Sequence, residues 1–157
     1  NRTELVDMAS IFSLPAPKGH NIAIITHAGG PAVMLTDVLS SHGIKIPHLK
    51  GPKADALLEK LYHGSSVSNP IDCLATGTKE QLGHIIDACN NDFDEIDSMA
   101  IIFGSPGLTD MTDTYNFIRE KMLTSRKPIY PILTSVLNAG DAIRKFRADG
   151  GICFVYE

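Results

Sequence analysis

Four short runs of apolar and β-branched residues recur along the chain, and each is apolar on both of its faces. They are Ile22-Ala23-Ile24-Ile25-Thr26, Met99 to Phe103, Ile129-Tyr130-Pro131-Ile132-Leu133 and Ile152-Cys153-Phe154-Val155. A half-exposed antiparallel strand alternates apolar with polar residues, whereas a run without a polar side belongs to a parallel strand covered above and below. Between the runs lie segments of helical period. Leu82, Ile85, Ile86 and Cys89 fall at i, i+3, i+4 and i+7. So do Ala54, Leu57, Leu58 and Leu61, and again Ala139, Ala142, Ile143 and Phe146. Met111, Tyr115, Ile118 and Met122 trace one side of a further helix, predicted over 109–124. Strand and helix in alternation predict an α/β fold: a doubly wound, mostly parallel, flavodoxin-like sheet with helices on both faces. The short connections imply right-handed crossovers.

The element ends are marked too. Thr78-Lys79-Glu80-Gln81 has the form of a capping box, with Gln81 placed to reach back to the Thr78 amide. A helix predicted over 31–42 stops at Gly43, which suits a left-handed C-cap. The first dozen residues predict an amphipathic helix with Leu5, Met8, Ala9 and Phe12 on one side, and Leu14-Pro15-Ala16-Pro17-Lys18-Gly19 reads as a linker. The expected organisation is an N-terminal helix and linker over 1–19 and one domain over 20–157, since 157 residues suit a single domain. The chain starts at Asn1 without a Met and stops at Glu157 directly after a strand-like run, so a fragment of a larger protein is expected.

Composition narrows the partners. With 43% hydrophobic and 20% charged residues the chain can build a core and is not disordered. A net charge of −4 without a basic block gives little support for nucleic acid. No apolar run approaches the roughly 20 residues of a membrane helix, so no membrane is expected either. Cys73, Cys89 and Cys153 are odd in number, far apart and in no CxxC spacing. They predict free thiols in a reducing cytoplasm rather than disulfides or zinc.

In open α/β sheets ligands bind beyond the carboxyl ends of the strands, close to the switch in strand order. Three loops qualify. In the first, Thr26-His27-Ala28-Gly29-Gly30-Pro31, the two Gly let backbone approach a ligand, Pro31 suits the first helical turn, and its free amides favour an anion. A phosphate or carboxylate site and a plain tight turn are both open readings; the loop matches neither GxGxxG nor a Walker loop. The second loop, Gly104-Ser105-Pro106-Gly107 running to Asp110, holds the ingredients of an anion nest, while Thr109 or Asp110 equally suits a helix cap. The third, Ser65 to Asp72, offers Asn69 and Asp72; an Asp at such a place more often bonds nearby amides than a ligand.

His27 is the one histidine in a ligand-facing loop; His20, His42, His48, His63 and His84 lie near turns or on helix surfaces. No pair has metal-ligand spacing, and Ser105 stands in no GxSxG elbow. Asp92, Asp94, Glu95 and Asp97 mark a solvated loop without the calcium-loop pattern. The candidate substrate- and phosphate-binding set is therefore His27, Gly29, Gly30, Asn69, Asp72, Gly104, Ser105 and Gly107, with no catalytic residue and no metal ligand.

Taken together, these segments resemble a known family. Ile22 to Ala32 is similar to the strand and TNAGGPG loop in the second flavodoxin-like domain of the alpha part of ADP-forming acyl-CoA (acetate-CoA) synthetases. Those enzymes belong to the succinyl-CoA synthetase superfamily. Val67-Ser68-Asn69-Pro70-Ile71-Asp72 resembles its SNPVD element, Gly151-Ile152-Cys153-Phe154 its GIPVF terminal strand, and Leu14 to Asn21 the preceding linker. The resemblance covers essentially the whole chain. It implies a ligase in which acyl-CoA, ADP and phosphate become acid, CoA and ATP through an acyl phosphate and a phosphohistidine.

The phosphorylated histidine would belong to the preceding domain; His27 replaces the Asn of the family loop. CoA, ADP/ATP and Mg2+ are expected of the parent enzyme, none of them held by this fragment. The implied partners are CoA-binding, phosphohistidine and ATP-grasp domains, a small carboxylic acid and phosphate. The resemblance assigns carboxylate-binding amides to Ser105, Pro106 and Gly107, although Pro106 has no N–H to donate. By itself the fragment is expected to be inactive. The alternative is a non-catalytic flavodoxin-like binding or regulatory module, for example in an acetyltransferase fusion. A receiver domain is disfavoured because the strand ending Ile102-Phe103-Gly104 carries no Asp. A flavodoxin is disfavoured because the first loop is not Ser/Thr-rich.

Overall fold

The computed structural model describes residues 2–104, 110–134 and 136–155. Its elements run α1 (Arg2–Phe12), β1 (Ile22–Thr26), α2 (Gly29–Ser41), α3 (Pro52–Leu58), β2 (Ile71–Asp72), α4 (Lys79–Asn91), β3 (Ser98–Phe103), α5 (Thr112–Thr124), β4 (Ile129–Leu133), α6 (Val136–Ala148) and β5 (Phe154–Val155). The five strands form one parallel sheet in the order β2-β1-β3-β4-β5. The chain is thus a doubly wound α/β domain, and the order reverses direction between β1 and β3.

The two faces are covered unequally. Ala23, Ile25, Met99, Ile101, Ile129 and Leu133 point to one side and share a core with α3, α4, α5 and α6. All three cysteines lie in that core as free thiols. Burial raises Cys89 to about 12 and Cys73 to about 11, so both stay protonated and unreactive at neutral pH. On the other side Ile22, Ile24, Ala100 and Ile102 pack against Ala32, Leu35 and Leu39 of α2. β1 and β3 are therefore buried on both faces, whereas β4 alternates buried and half-buried, with Tyr130 and Ile132 on the thinly covered side.

Most element ends follow from local chemistry. The capping box at α4 is formed, Thr78 Oγ1 accepting from the Gln81 amide while Gln81 accepts from the Thr78 amide. After α2 the Gly43 amide donates to the Ser40 carbonyl and the Ile44 amide to the Leu39 carbonyl. With Gly43 at φ +80, that pair of bonds is a Schellman ending, and Ile44 packs with Leu39 in the smaller core. Two helix starts differ from expectation. α2 begins at Gly29, ahead of Pro31, because Gly tolerates the first helical positions without a capping side chain. α5 begins at Thr112, because Asp110 accepts from both the amide and the hydroxyl of Thr112 and turns the chain into the helix there. In α3, Ala54 and Leu57 are buried but Leu58 is exposed, since the helix ends at that residue.

Asn69 closes the outer edge of β1. β2 pairs with β1 only at Ile25 and Thr26, and an isolated bridge at Lys45 takes the Ile22 amide, leaving the Ile22 carbonyl and the Ile24 amide between them without a backbone partner on that edge. Asn69 Oδ1 accepts from the Ile24 amide at 2.9 Å, and Nδ2 donates to the carbonyls of Ile22 and Pro47, each at 3.0 Å. The side chain stands in for the missing strand residues, and its φ of 70° is one that Asn adopts more readily than most residues. Replacing Asn69 with Ala leaves a buried amide and two carbonyls unmet. Asn69→Ala should cost about 3 kcal/mol, read as a lower urea midpoint at unchanged m-value. Asn69→Asp, which keeps the acceptor and loses the donors, should also destabilise; an unchanged midpoint in Asn69→Ala would contradict this role.

Candidate functional site

The carboxyl ends of β1, β2 and β3 meet where the strand order reverses, and the residues following them converge there. Thr26 is in register with Ile102 of β3 and Asp72 of β2. His27 and Gly104 therefore leave neighbouring strands at the same end of the sheet. Gly104 is buried at the end of β3, and Asp72 is partly buried at the end of β2.

The first loop is held by its own side chain. The Thr26 hydroxyl accepts from the Ala28 amide at 3.0 Å and donates to the Ala28 carbonyl at 2.8 Å. This tight turn delivers the chain into α2 with Ala28 as N-cap, at φ −144 and ψ 116. Ala has no side chain to cap the helix, so the first-turn amides of Gly29 and Gly30 have neither an intrahelical acceptor nor a side-chain one. Both glycines are exposed, and a Cβ built on either would meet nothing within 4 Å. Pro31, third in the helix, contributes no donor. Two exposed residues whose amides lack a capping side chain thus stand at the positive end of a 13-residue helix, at the switch point.

His27 forms the wall beside them. Its ring lies 4.5 Å from that of Phe103, centroid to centroid, and Nδ1 lies 3.3 Å from the Ile102 carbonyl. A carbonyl oxygen only accepts, so Nδ1 carries the proton and Nε2 keeps its lone pair. Burial holds the His27 pKa below the usual imidazole value, against the opposing pulls of the Ile102 carbonyl and the Asp72 charge. At neutral pH the ring is uncharged.

Of the eight expected site residues, His27, Gly29, Gly30, Asp72 and Gly104 come together at the carboxyl ends. Asp72 spends Oδ1 on the Leu74 amide at 2.8 Å, the structural use that an Asp in such a loop usually has. Asn69 is placed elsewhere: its partners Ile22 and Ile24 lie toward the amino end of β1, and its polar atoms are taken up there. Ser105 and Gly107, with Pro106 and Thr109, lie outside the described residues. Sequence reasoning missed the Thr26 hydroxyl as the loop's organiser. Its signal is a Thr two residues ahead of the bonded amide, the spacing of an ST-turn. Among the described residues no group of three or more His, Cys, Asp or Glu is placed to hold a metal ion, and no helix is long and apolar enough to cross a membrane.

No family model matches the chain. Over 153 residues, 94% of its length, it is 31% identical to subunit alpha of the ADP-forming acetate–CoA ligase I of Pyrococcus furiosus, of which it covers 32%. Over 77 residues, 49% of its length, it is 36% identical to subunit alpha of ligase II of the same organism and covers 17% of it. Among solved structures, the crystal structure of PH0766 from Pyrococcus horikoshii OT3 matches with a TM-score of 0.86 at 25% identity, over 98% of this chain and 36% of that one. The apo dinucleotide-forming acetyl-coenzyme A synthetase 1 of Candidatus Korarchaeum cryptofilum shares the fold, with a TM-score of 0.83 at 17% identity over 99% of this chain and 34% of its own. The chain thus spans only about a third or less of the length of these relatives. The chain is homologous to one stretch of subunit alpha of ADP-forming acetate–CoA ligases, over nearly its whole length for ligase I and about half of it for ligase II of Pyrococcus furiosus.

Proposed function

We propose that the chain works as one domain of an NDP-forming acyl-CoA synthetase, whose whole converts acyl-CoA, ADP and phosphate into free acid, CoA and ATP. Its share is electrostatic. The amides of Gly29 and Gly30 donate to the oxygens of phosphate, or of a phosphoryl group carried into the crevice by another domain. The dipole of α2 adds about half an elementary charge at the same point. Phosphoryl transfer spreads charge over equatorial oxygens, so fixed donors that need no rearrangement lower the barrier without covalent chemistry. The supporting observation is the uncapped first turn of α2, open to solvent at the strand-order switch, in a chain aligned along 94% of its length with a ligase alpha subunit.

The other residues take supporting parts in this reading. His27 lines the crevice and takes up a proton when an anion arrives, because a neighbouring negative charge favours imidazolium. Asp72, itself anionic, tunes His27 and braces the loop rather than touching the phosphate. Gly104 keeps the floor narrow at the end of β3. Ser105 and Gly107 supply further donors to the carboxylate on the strength of the family resemblance. Mg2+, CoA and nucleotide would be held by the rest of the ligase, and no residue of this chain is assigned to them.

Giving α2 a side-chain cap separates stability from function. Ala28 already has the extended backbone of an N-cap, so Ala28→Asp should satisfy a first-turn amide and stabilise the chain by about 1 kcal/mol. The same carboxylate occupies the anion's place, so phosphate affinity, followed through the Gly29 and Gly30 amide resonances, should fall at least about tenfold. Exchanging this chain for the matching stretch of the Pyrococcus furiosus alpha subunit should retain acetate–CoA ligase turnover, and Ala28→Asp in that chimera should remove at least about nine-tenths of it. Unchanged phosphate binding and unchanged turnover in Ala28→Asp would overturn the proposal.

A pH series tests His27. Its ring should titrate below the ordinary histidine value in the free chain and move upward when sulfate, which does not itself titrate, is added. Sulfate should therefore bind more tightly as pH falls through that range, and His27→Gln should flatten the dependence. A sulfate affinity with the same pH slope in both proteins would remove His27 from the crevice.

A further inference from the structure

The chain reaches its sheet through a joint with two unlike sides. Before it, α1 is lightly held: none of residues 4–12 belongs to either core, Asp7 and Ser10 are half-buried, and Leu5, Val6, Met8 and Phe12 are 57–83% exposed. Pro15, Ala16, Pro17 and Lys18 are exposed as well, and among the described residues no backbone hydrogen bond reaches them. From Gly19 to Asn21 the chain is pinned to the amino end of the sheet. The His20 carbonyl accepts from the Lys45 amide at 2.8 Å, and the Asn21 carbonyl from the amides of Asp97 and Ser98 at 2.9 and 3.2 Å. The Asn21 amide donates to Asp97 Oδ2 at 3.0 Å, and Asn21 Nδ2 to the Glu95 carbonyl at 2.8 Å. Gly19 makes room for this. A Cβ built there would overlap Asp97 Oδ2 and lie 2.9 Å from Cγ and 3.1 Å from Oδ1, so the three nearest atoms all belong to that carboxyl group.

We infer that Gly19 and Asp97 form a clasp that divides the chain mechanically: the segment before Gly19 is a strap that lifts from the domain as a unit, while residues 19–21 stay fixed beside the start of β3. Lifting α1 uncovers little apolar surface, because its apolar stripe already faces outward. Opening the clasp, in contrast, breaks a hydrogen bond to a half-buried carboxylate, stronger than one between neutral groups. A side chain at Gly19 displaces that carboxylate, and the carboxylate cannot move without releasing the Asn21 amide. The boundary between the movable and the fixed part therefore falls at Gly19. Such a joint sets where the sheet begins and leaves what precedes it able to take more than one orientation. It lies at the amino end of β1, whereas the crevice proposed for phosphate lies at the carboxyl end, so the two stand or fall separately.

Hydrogen exchange and trypsin read the two sides. In the native chain the α1 amides should exchange at least about a hundredfold faster than those of β1. Lys18 is exposed, but a cut there needs Gly19, His20 and Asn21 extended in the protease, so it should be slow while the clasp is closed. Gly19→Ala and Asp97→Ala should each speed that cut at least about tenfold, releasing the first eighteen residues and leaving 19–157 uncut. Asp97→Asn keeps an acceptor oxygen and should stay within about threefold of the native rate. In the Asp97→Ala background, adding Gly19→Ala should change the rate by less than about twofold, since the new Cβ no longer meets a carboxylate. Effects of the two substitutions that simply add overturn the clasp. So does an unchanged rate in both single variants, or cutting spread over interior lysines. Protection of α1 equal to that of β1 overturns the strap.

Discussion

The structure depends on how β1 is paired at its two edges. Buried backbone amides and carbonyls must find partners, and β1 is the strand from which the chain winds first one way and then the other. On the inner edge β3 supplies partners along the whole strand. On the outer edge β2 covers two residues, the Asn69 side chain takes the Ile24 amide and the Ile22 carbonyl, and the Lys45 carbonyl takes the Ile22 amide. With both edges satisfied the end of β1 is rigid, and the Thr26 hydroxyl turns the chain tightly enough for α2 to start at once. The open amides of Gly29 and Gly30 are a product of that sequence of constraints.

The crevice is economical in what it uses. Among the described residues, the positive end of α2 and a neutral imidazole stand at the carboxyl end of β1, with Asp72 bonded to the Leu74 amide beside them. On the proposed function, that arrangement would suit a group that arrives charged and leaves charged, because a fixed cation would bind it too tightly in both states. The polar residues around it are occupied with backbone, Asp72 with Leu74 and Asn69 with β1. Their work is to hold geometry.

Parts of this were legible in the residues alone. Runs such as Ile22 to Thr26 and Met99 to Phe103 carry no polar side and could only be two-sided parallel strands, and both are buried throughout. The capping box at Thr78 and the turn at Gly43 are local devices whose partners lie within a few residues, so they were readable as written. The glycine pair after β1 was readable as a strand-to-helix turn, a plain tight turn and an anion site both staying open, and α2 does start at that pair. The start of α5 was misread because the Asp110 side chain bonds onward to Thr112, and periodicity is blind to where a helix is nucleated.

What the sequence by itself determined is the period of each segment, and with it the fold class and the location of the loops that end the strands. Tertiary structure alone decided which loop residues share a site. Asn69 and Asp72 are three positions apart, yet one serves the amino half of β1 and the other stands at its carboxyl end, because the chain between them turns into the sheet edge. Tertiary structure also decided the direction of α1. Its stripe of Leu5, Met8 and Phe12 was plain in the sequence, but amphipathicity says only that a helix has an apolar side. Which way that side faces depends on what surface is left for it, and α1 turns it away from its own sheet.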